Sequence, residues 1–151
     1  MAHKKQYPRK AKFFLADIIH IDSNNSKPTL IGFFPGDTVG LNMQKGASEP
    51  SDSEPVVIQA LSILTAFVDC RGTFDANISL FRPDGKPMFE DKKISTIGTG
   101  ENPVIMDINF VVQFQPFNVP QIGTYRFVVR LDKKKYEYEF KFQRGIENTN
   151  N

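Results

Sequence analysis

The segment GTYRFVVRLDKKKYEYEFKF, residues 123–142, decides the fold. Its second half alternates strongly, with aromatic side chains at every other position and charged ones between them. Successive side chains of a β-strand point to opposite faces, so this pattern predicts a strand with one apolar and one charged face. Tyr125–Leu131 alternates in the same way, and Asp132–Lys135 joins the two runs. The sequence therefore predicts a β-hairpin whose aromatic face packs into a core.

Apolar or alternating runs predict further strands upstream, and no segment has a convincing helical period. Val56–Val68 is apolar on both strand faces, which favours a fully buried strand; an initial helical turn is the alternative. About eight or nine strands at short spacing predict an all-β domain, a two-sheet antiparallel β-sandwich that is immunoglobulin-like or C2-like. The other upstream runs are Phe13–Ile21, Thr29–Phe34, Gly36–Asn42, residues 77–81, Lys92–Ile97 and Met106–Phe114.

Gly123, Thr124 and Tyr125 open the next-to-last predicted strand. In immunoglobulin-like sandwiches a tyrosine at this place bonds back to the backbone and braces a corner. A plain turn glycine before a core tyrosine is the alternative, and either interpretation is architectural. The disulfide and tryptophan of antibody domains have no counterpart, because the chain has one cysteine and no tryptophan.

The charges are unevenly distributed along the chain. We divide it into a basic N-terminal arm (residues 1–12), a sandwich domain (13–143) and a polar tail (144–151). The arm contains five of the 19 basic residues. The remaining 14 basic residues and the 17 acidic residues give the rest of the chain a net charge of −3. Nucleic-acid binding by the body is therefore not expected, and a solvated leader is favoured over an arm that contacts phosphates. The arm's basic residues are Lys4, Lys5, Arg9, Lys10 and Lys12.

The single cysteine, Cys70, suits a reducing compartment. The apolar stretch after the basic start is cut by Asp17, and no apolar run is long enough to span a bilayer. We therefore expect a cytoplasmic protein of a bacterium or its phage, without membrane contact.

Residues with catalytic or metal-binding chemistry are sparse. The two histidines are His3 and His20, and on a strand Asp17 and His20 face opposite sides. Cys70 has no second cysteine or neighbouring histidine in the sequence. The sequence predicts no catalytic residue, no metal ligand and no cofactor, and hence a protein that is not an enzyme.

The closing hairpin carries the candidate contact residues. The second strand of this hairpin is the last of the chain and is expected at a sheet edge. Its lysines either prevent edge-to-edge aggregation or dock an acidic partner, and the protective role is favoured. We expect a non-catalytic module that binds another protein or forms a homo-oligomer. The alternatives are a phage or virion structural subunit and a small hydrolase-type enzyme whose site is assembled only on folding. The contact residues are Lys133, Lys134, Lys135, Glu137, Glu139 and Lys141.

Three segments together resemble an uncharacterised bacterial β-sandwich family of unknown function. They are residues 16–34, residues 77–89 around an RPDG turn, and residues 117–142. The resemblance implies an all-β fold and supplies no catalytic residues. The chain departs from the family pattern in its basic arm and in the QKGASEPSDSEP insertion, residues 44–55. The matching positions are Ala16, Asp17, Asp22, Leu30, Gly32, Phe33, Pro83, Asp84, Gly85, Gly123, Thr124, Tyr125, Arg126 and Phe127.

Overall fold

The computed structural model describes residues 4–145 and is all-β in that range. His3 and residues 146–151 of the predicted tail lie outside the described residues. No helix within residues 4–145 has the length and apolar character to cross a membrane. The thirteen strands are β1 (Lys10–Ile21), β2 (Pro28–Phe33), β3 (Thr38–Leu41), β4 (Val56–Ile58), β5 (Leu61–Cys70), β6 (Thr73–Phe74), β7 (Ala76–Phe81), β8 (Pro87–Lys93), β9 (Ile97–Gly98), β10 (Met106–Phe114), β11 (Phe117–Val119), β12 (Gly123–Leu131) and β13 (Lys134–Arg144).

Two large sheets and two short strand pairs account for these strands. One large sheet has the order β10-β5-β1-β2, and the other has the order β3-β13-β12-β7-β8. The short pairs are β11-β4 and β6-β9. The predicted count of eight or nine strands is too low, because strands of two or three residues are too short to show an alternating pattern.

One pairing departs from the antiparallel prediction. β3 runs parallel to β13, with Thr38 opposite Lys141 and Leu41 opposite Arg144. After β2 the chain leaves the four-stranded sheet and crosses directly to the five-stranded sheet. There β3 runs in the same direction as β13. Asp37 secures this crossing, because its carbonyl accepts a hydrogen bond from the Lys141 N–H at 2.9 Å and its carboxylate accepts one from the Tyr138 hydroxyl at 2.5 Å.

The two large sheets share one apolar core. Leu15, Ile63 and Phe67 from the four-stranded sheet lie in the same buried cluster as Phe127 and Phe140 from the five-stranded sheet. The aromatic residues of β13 alternate as buried positions with exposed charged ones, as the sequence predicts. Burial of these rings stabilises the fold as part of the larger apolar core.

The predicted corner brace is present. Tyr125 is fully buried, and its hydroxyl donates a hydrogen bond of 2.7 Å to the carbonyl of Gln121. Gly123 has φ +135°, and a Cβ there would lie 2.9 Å from the Pro83 side chain. A side chain at residue 123 would therefore meet both backbone strain and a clash.

Two strand boundaries differ from the prediction. Val56–Val68 is divided into β4 and β5, and β5 is buried on both faces as expected, without a helical turn. The strand predicted at Lys92–Ile97 instead starts at Pro87, directly after the turn that contains Gly85. This turn is tight enough for β8 to pair at once with β7.

The half of the β1–β2 hairpin nearest its loop, here called the far half, folds over the outer face of the four-stranded sheet. Ile19 packs with Ala16 and Leu64 in a second, smaller apolar cluster, and Leu30 packs against it. The Asn109 side chain donates a hydrogen bond to the carbonyl of Ser26 at 3.3 Å, so the hairpin loop reaches β10. The outer side of the four-stranded sheet is therefore partly closed by the chain itself.

Residues 4–9, here the N-terminal strap, pack against the domain. Gln6 and Arg71 exchange two backbone hydrogen bonds of 2.8 and 3.0 Å, and the Arg9 N–H donates to the carbonyl of Val68. The Tyr136 hydroxyl donates to the carbonyl of Pro8 at 2.9 Å. The strap is thus packed rather than solvated, whereas the division into arm, domain and tail stays a prediction.

Candidate binding surface

The outer face of the five-stranded sheet contains a concavity with a volume of about 330 Å³. Strand alternation explains its composition, because the core side chains of β12 leave Arg126, Val128 and Arg130 on the opposite face. We call this surface the charged groove. Its lining residues are Ser79, Phe81, Glu90, Asp91, Arg126, Val128, Arg130 and Lys135.

The floor of the groove consists of short side chains. Ser79 and Val128 lie directly opposite each other on neighbouring strands, and each is only 6% exposed. The pairing of β7 with β8 shifts register beside Ser79, whose hydroxyl accepts a hydrogen bond from the Asp91 N–H at 2.9 Å. Long charged side chains surround this short pair, and the difference in length produces the concavity.

Arg126 forms one end of the groove. Its guanidinium lies 4.5 Å from the ring centroid of Phe81 and donates to Glu137 Oε1 at 3.0 Å. About half of each charged side chain is exposed, 42% for Arg126 and 50% for Glu137. A pair this exposed contributes at most about 1 kcal/mol to stability, so its main effect is to orient the guanidinium.

Arg130 forms the other end. Its NH1 lies 3.2 Å from Asp91 Oδ1, and its NH2 lies 2.9 Å from the Asn77 amide, which presents its oxygen to the guanidinium once the amide is flipped. Its Nε is buried, and within residues 4–145 no acceptor is in hydrogen-bonding reach of it. The residue directly opposite on β13 is Lys135, a second cation. Two like charges opposite each other on a sheet are unfavourable, and a negative group between them would reduce their repulsion.

The predicted contact residues do not form one patch. Lys133 lies in the turn, Lys134 has its Nζ 5.6 Å from the Tyr136 ring, and Lys135 lines the groove. Consecutive strand residues point to opposite faces, which separates Lys134 from Lys135. The remaining three, Glu137, Glu139 and Lys141, are exposed on the outer face as predicted.

The predicted position of β13 at a sheet edge is only half right. β3 pairs with Lys141–Arg144 and covers that part of the strand. Over Lys134–Phe140, β13 pairs with β12 alone among the strands of residues 4–145. Seven of the eleven residues of β13 therefore keep a free edge, and β3 covers the other four.

Cys70 and His20 are not brought together. Cys70 is fully buried, its thiol donates to the Met106 carbonyl at 3.2 Å, and burial raises its pKa to about 11. His20 is exposed near the C-terminal end of β1. Cys70 lies near the N-terminal end of that strand, where Lys10 pairs with Val68, so the two side chains are far apart along β1. Within residues 4–145 no three His, Cys, Asp or Glu side chains are grouped to hold a metal ion.

The basic residues near the N-terminus serve different roles. Lys5 donates to Asp132 at 2.8 Å, and Arg9 donates to Asp69 at 2.8 Å. Lys4, Lys10 and Lys12 are exposed. The structure thus uses two of the five cations in ion pairs within the chain.

The sequence contained a signal for the residues that the prediction missed. Arg126 and Arg130 are the charged positions of the alternating β12 run, so their outward direction was predictable. Their partners Phe81 and Asp91 come from β7 and β8, and only the pairing of these strands with β12 brings them into the groove.

A model of DUF6941, described as a family of unknown function, matches residues 50–141. The match covers more than half of the chain, so the protein belongs to this family, and the resemblance to an uncharacterised family is confirmed. The matched range includes every residue of the charged groove and ends before β13 is complete. It leaves β1, β2 and β3 outside. No curated protein matches the chain.

Proposed function

We propose that the protein is a non-catalytic module that acts by surface contact with another protein. The observation that carries this proposal is the charged groove, an open concave surface with apolar and charged groups on a rigid sheet. Interfaces use such mixed surfaces, with arginine and aromatic side chains as frequent anchors. The range matched by the family model includes all of the groove residues.

The proposed architecture is an immunoglobulin-like β-sandwich. In such domains strands A, B and E are neighbours in one sheet and C, F and G in the other. Here β1, β5 and β10 follow the first order, and β7, β12 and β13 follow the second. Tyr125 supports this assignment, because its corner hydrogen bond lies at the start of the strand that corresponds to F. A C2-like arrangement has no comparable support.

The proposed setting is the cytoplasm of a bacterium or its phage. A free, buried cysteine with a raised pKa is compatible with a reducing compartment, where thiols stay unpaired. A protein that works as a binding module there needs no cofactor.

A phage or other self-assembling subunit is the second candidate. The far half of the β1–β2 hairpin presents Ile18 beside Ile31, and Phe33 is 48% exposed nearby. Apolar pairs of this kind favour contact between copies. Light scattering after size exclusion tests it: a wild-type oligomer that the Ile31→Glu variant converts to monomer supports assembly, and a monomer at high concentration refutes it.

Capture from a native lysate with a groove-blocking variant tests the binding function. Val128→Arg places a long side chain on the groove floor, and Val57→Arg adds the same charge at an exposed position on β4. We expect a wild-type partner to be lost with Val128→Arg and retained with Val57→Arg, at equal circular dichroism. Glu139→Arg, on the same outer face, serves as a second blocking variant. Equal capture by all variants refutes a partner on this face.

A further inference from the structure

We infer that the charged groove binds an extended acidic segment of a partner protein, with one carboxylate between Arg130 and Lys135 and a second on Arg126. The inference rests on the proposed binding function and adds the chemistry of the partner. Three observations carry it: two cations opposite each other at Arg130 and Lys135, a stacked guanidinium at Arg126, and a short, uncharged floor between them.

The first anchor is the pair of cations at the hairpin end of the groove. Arg130 makes an ion pair with Asp91, with NH1 3.2 Å from Oδ1, it reaches the Asn77 oxygen only when that amide is flipped, and its Nε has no hydrogen-bond partner within residues 4–145. Lys135, directly opposite, makes no ion pair in the same range. A carboxylate between them would satisfy donors on both side chains and remove their mutual repulsion.

The second anchor is Arg126. Stacking on Phe81 fixes the plane of its guanidinium, and only NH1 is engaged, by Glu137. A held guanidinium loses less side-chain freedom when it binds, and its planar fork fits a carboxylate with two parallel hydrogen bonds.

The spacing of the anchors favours an extended chain. Arg126 and Arg130 are four residues apart on one strand, which corresponds to about 13 Å. Val128 lies midway, with Ser79 beside it on β7 and Glu137 beside it on β13, so the floor itself is short and uncharged and is bordered by one carboxylate. A small ion would reach only one anchor, whereas an extended segment with two acidic side chains reaches both.

Four carboxylates flank the proposed segment and share the cations with it: Glu90 and Asp91 line the groove, Glu137 lies opposite Val128, and Glu139 lies opposite Arg126. The Asp91 side chain is 56% exposed and that of Glu137 is 50% exposed, so their ion pairs are weak. An incoming carboxylate can share or replace them on the arginines while they stay hydrated. The same exposure explains why both arginines remain available.

Titration with a short synthetic peptide tests the inference. Its two glutamates are spaced to match Arg126 and Arg130, with a valine between them, and a second peptide carries glutamine at both positions. We expect the Arg130→Gln/Lys135→Gln variant to bind the glutamate peptide about tenfold more weakly than the wild type. The Lys10→Gln/Lys12→Gln variant has the same charge loss on β1 and is expected to bind within about twofold of the wild type.

The readouts separate this inference from general charge attraction and from the proposed function. The side-chain Nε–H resonance of Arg130 is expected to shift with the glutamate peptide and not with inorganic phosphate at equal ionic strength. Equal affinity for both peptides, or equal loss in both double variants, overturns the inference. A shift with phosphate but not with peptide overturns it in favour of a phosphate ligand. If Val128→Arg abolishes partner capture while no peptide binds, the binding function stands and the acidic segment is refuted.

Discussion

The N-terminal strap and the charged groove both place cations beside carboxylates, yet they use these charges to different degrees. In the strap region Asp132 accepts hydrogen bonds from Lys5, Tyr7 and the Asp75 N–H, all at 2.8–2.9 Å. In the groove, Asp91 has a single ion pair to Arg130 at 3.2 Å and is more than half exposed. The comparison separates charges that hold the fold from charges that are free to bind.

The pKa of Asp132 reflects this difference. Burial alone would raise the pKa of this carboxyl, but the hydrogen bonds from Lys5, the Asp75 N–H and Tyr7 outweigh burial and place it below its ordinary value. The hydrogen bond to Asp132 in turn raises the pKa of Lys5. The number of hydrogen-bond donors around a surface carboxylate therefore indicates its role better than the sign of its charge does.

The largest effect is expected when Asp132 is removed. Asp132→Ala deletes the acceptor of three hydrogen bonds and puts alanine at φ 51°, so we expect a loss of about 2–3 kcal/mol in the free energy of unfolding. Asp91→Ala in the groove is the matched control, because Asp91 also has a positive φ of 48° and shares the backbone cost, and we expect its loss to be about 1–2 kcal/mol smaller than that of Asp132→Ala. Urea unfolding at neutral pH measures both. Equal losses would remove the distinction between strap and groove.

The pH dependence of stability sharpens the same contrast. Because the pKa of Asp132 is lower in the folded state, its contribution is present above the unfolded value of about 3.8 and is lost as the pH falls through the folded value. We expect wild-type stability to fall more steeply below about pH 4 than that of Asp132→Asn, which keeps a residue that tolerates positive φ. Asp91→Asn is expected to follow the wild type. Parallel curves for the wild type and Asp132→Asn would contradict the cited shift.

The sequence predicted the elements whose pattern is local. Alternation placed Tyr136 and Phe140 in the core, and the spacing of Gly123 and Tyr125 indicated the corner hydrogen bond that the structure contains. The strap was not predictable, because its bridge joins Gln6 to Arg71 and neither residue shows a pattern.

The groove was predictable only in part. The outward direction of Arg126 and Arg130 followed from alternation, but the concavity depends on the register shift beside Ser79 and on which strand lies next to β12. Both are properties of strand pairing across the sheet. The same holds for β3, whose parallel pairing covers four of the eleven residues of a strand that the sequence placed at an edge.

The smallest effect concerns Lys135, where binding and stability are expected to change in opposite directions. Lys135→Glu replaces a like-charge pair with Arg130 by an opposite-charge pair, so we expect the free energy of unfolding to rise by about 0.2–1 kcal/mol. Lys141→Glu is the control on the same face, because it lies opposite Thr124 rather than a cation and should give no such gain. Urea unfolding measures both, and the acidic peptide should bind Lys135→Glu at least about tenfold more weakly than the wild type. A loss of stability in Lys135→Glu would mean that Lys135 has a structural partner, and the groove would then resemble the strap. A gain in stability with a loss of binding would show that the unfavourable pair is kept for the ligand, as expected where a site is maintained at some cost to the fold.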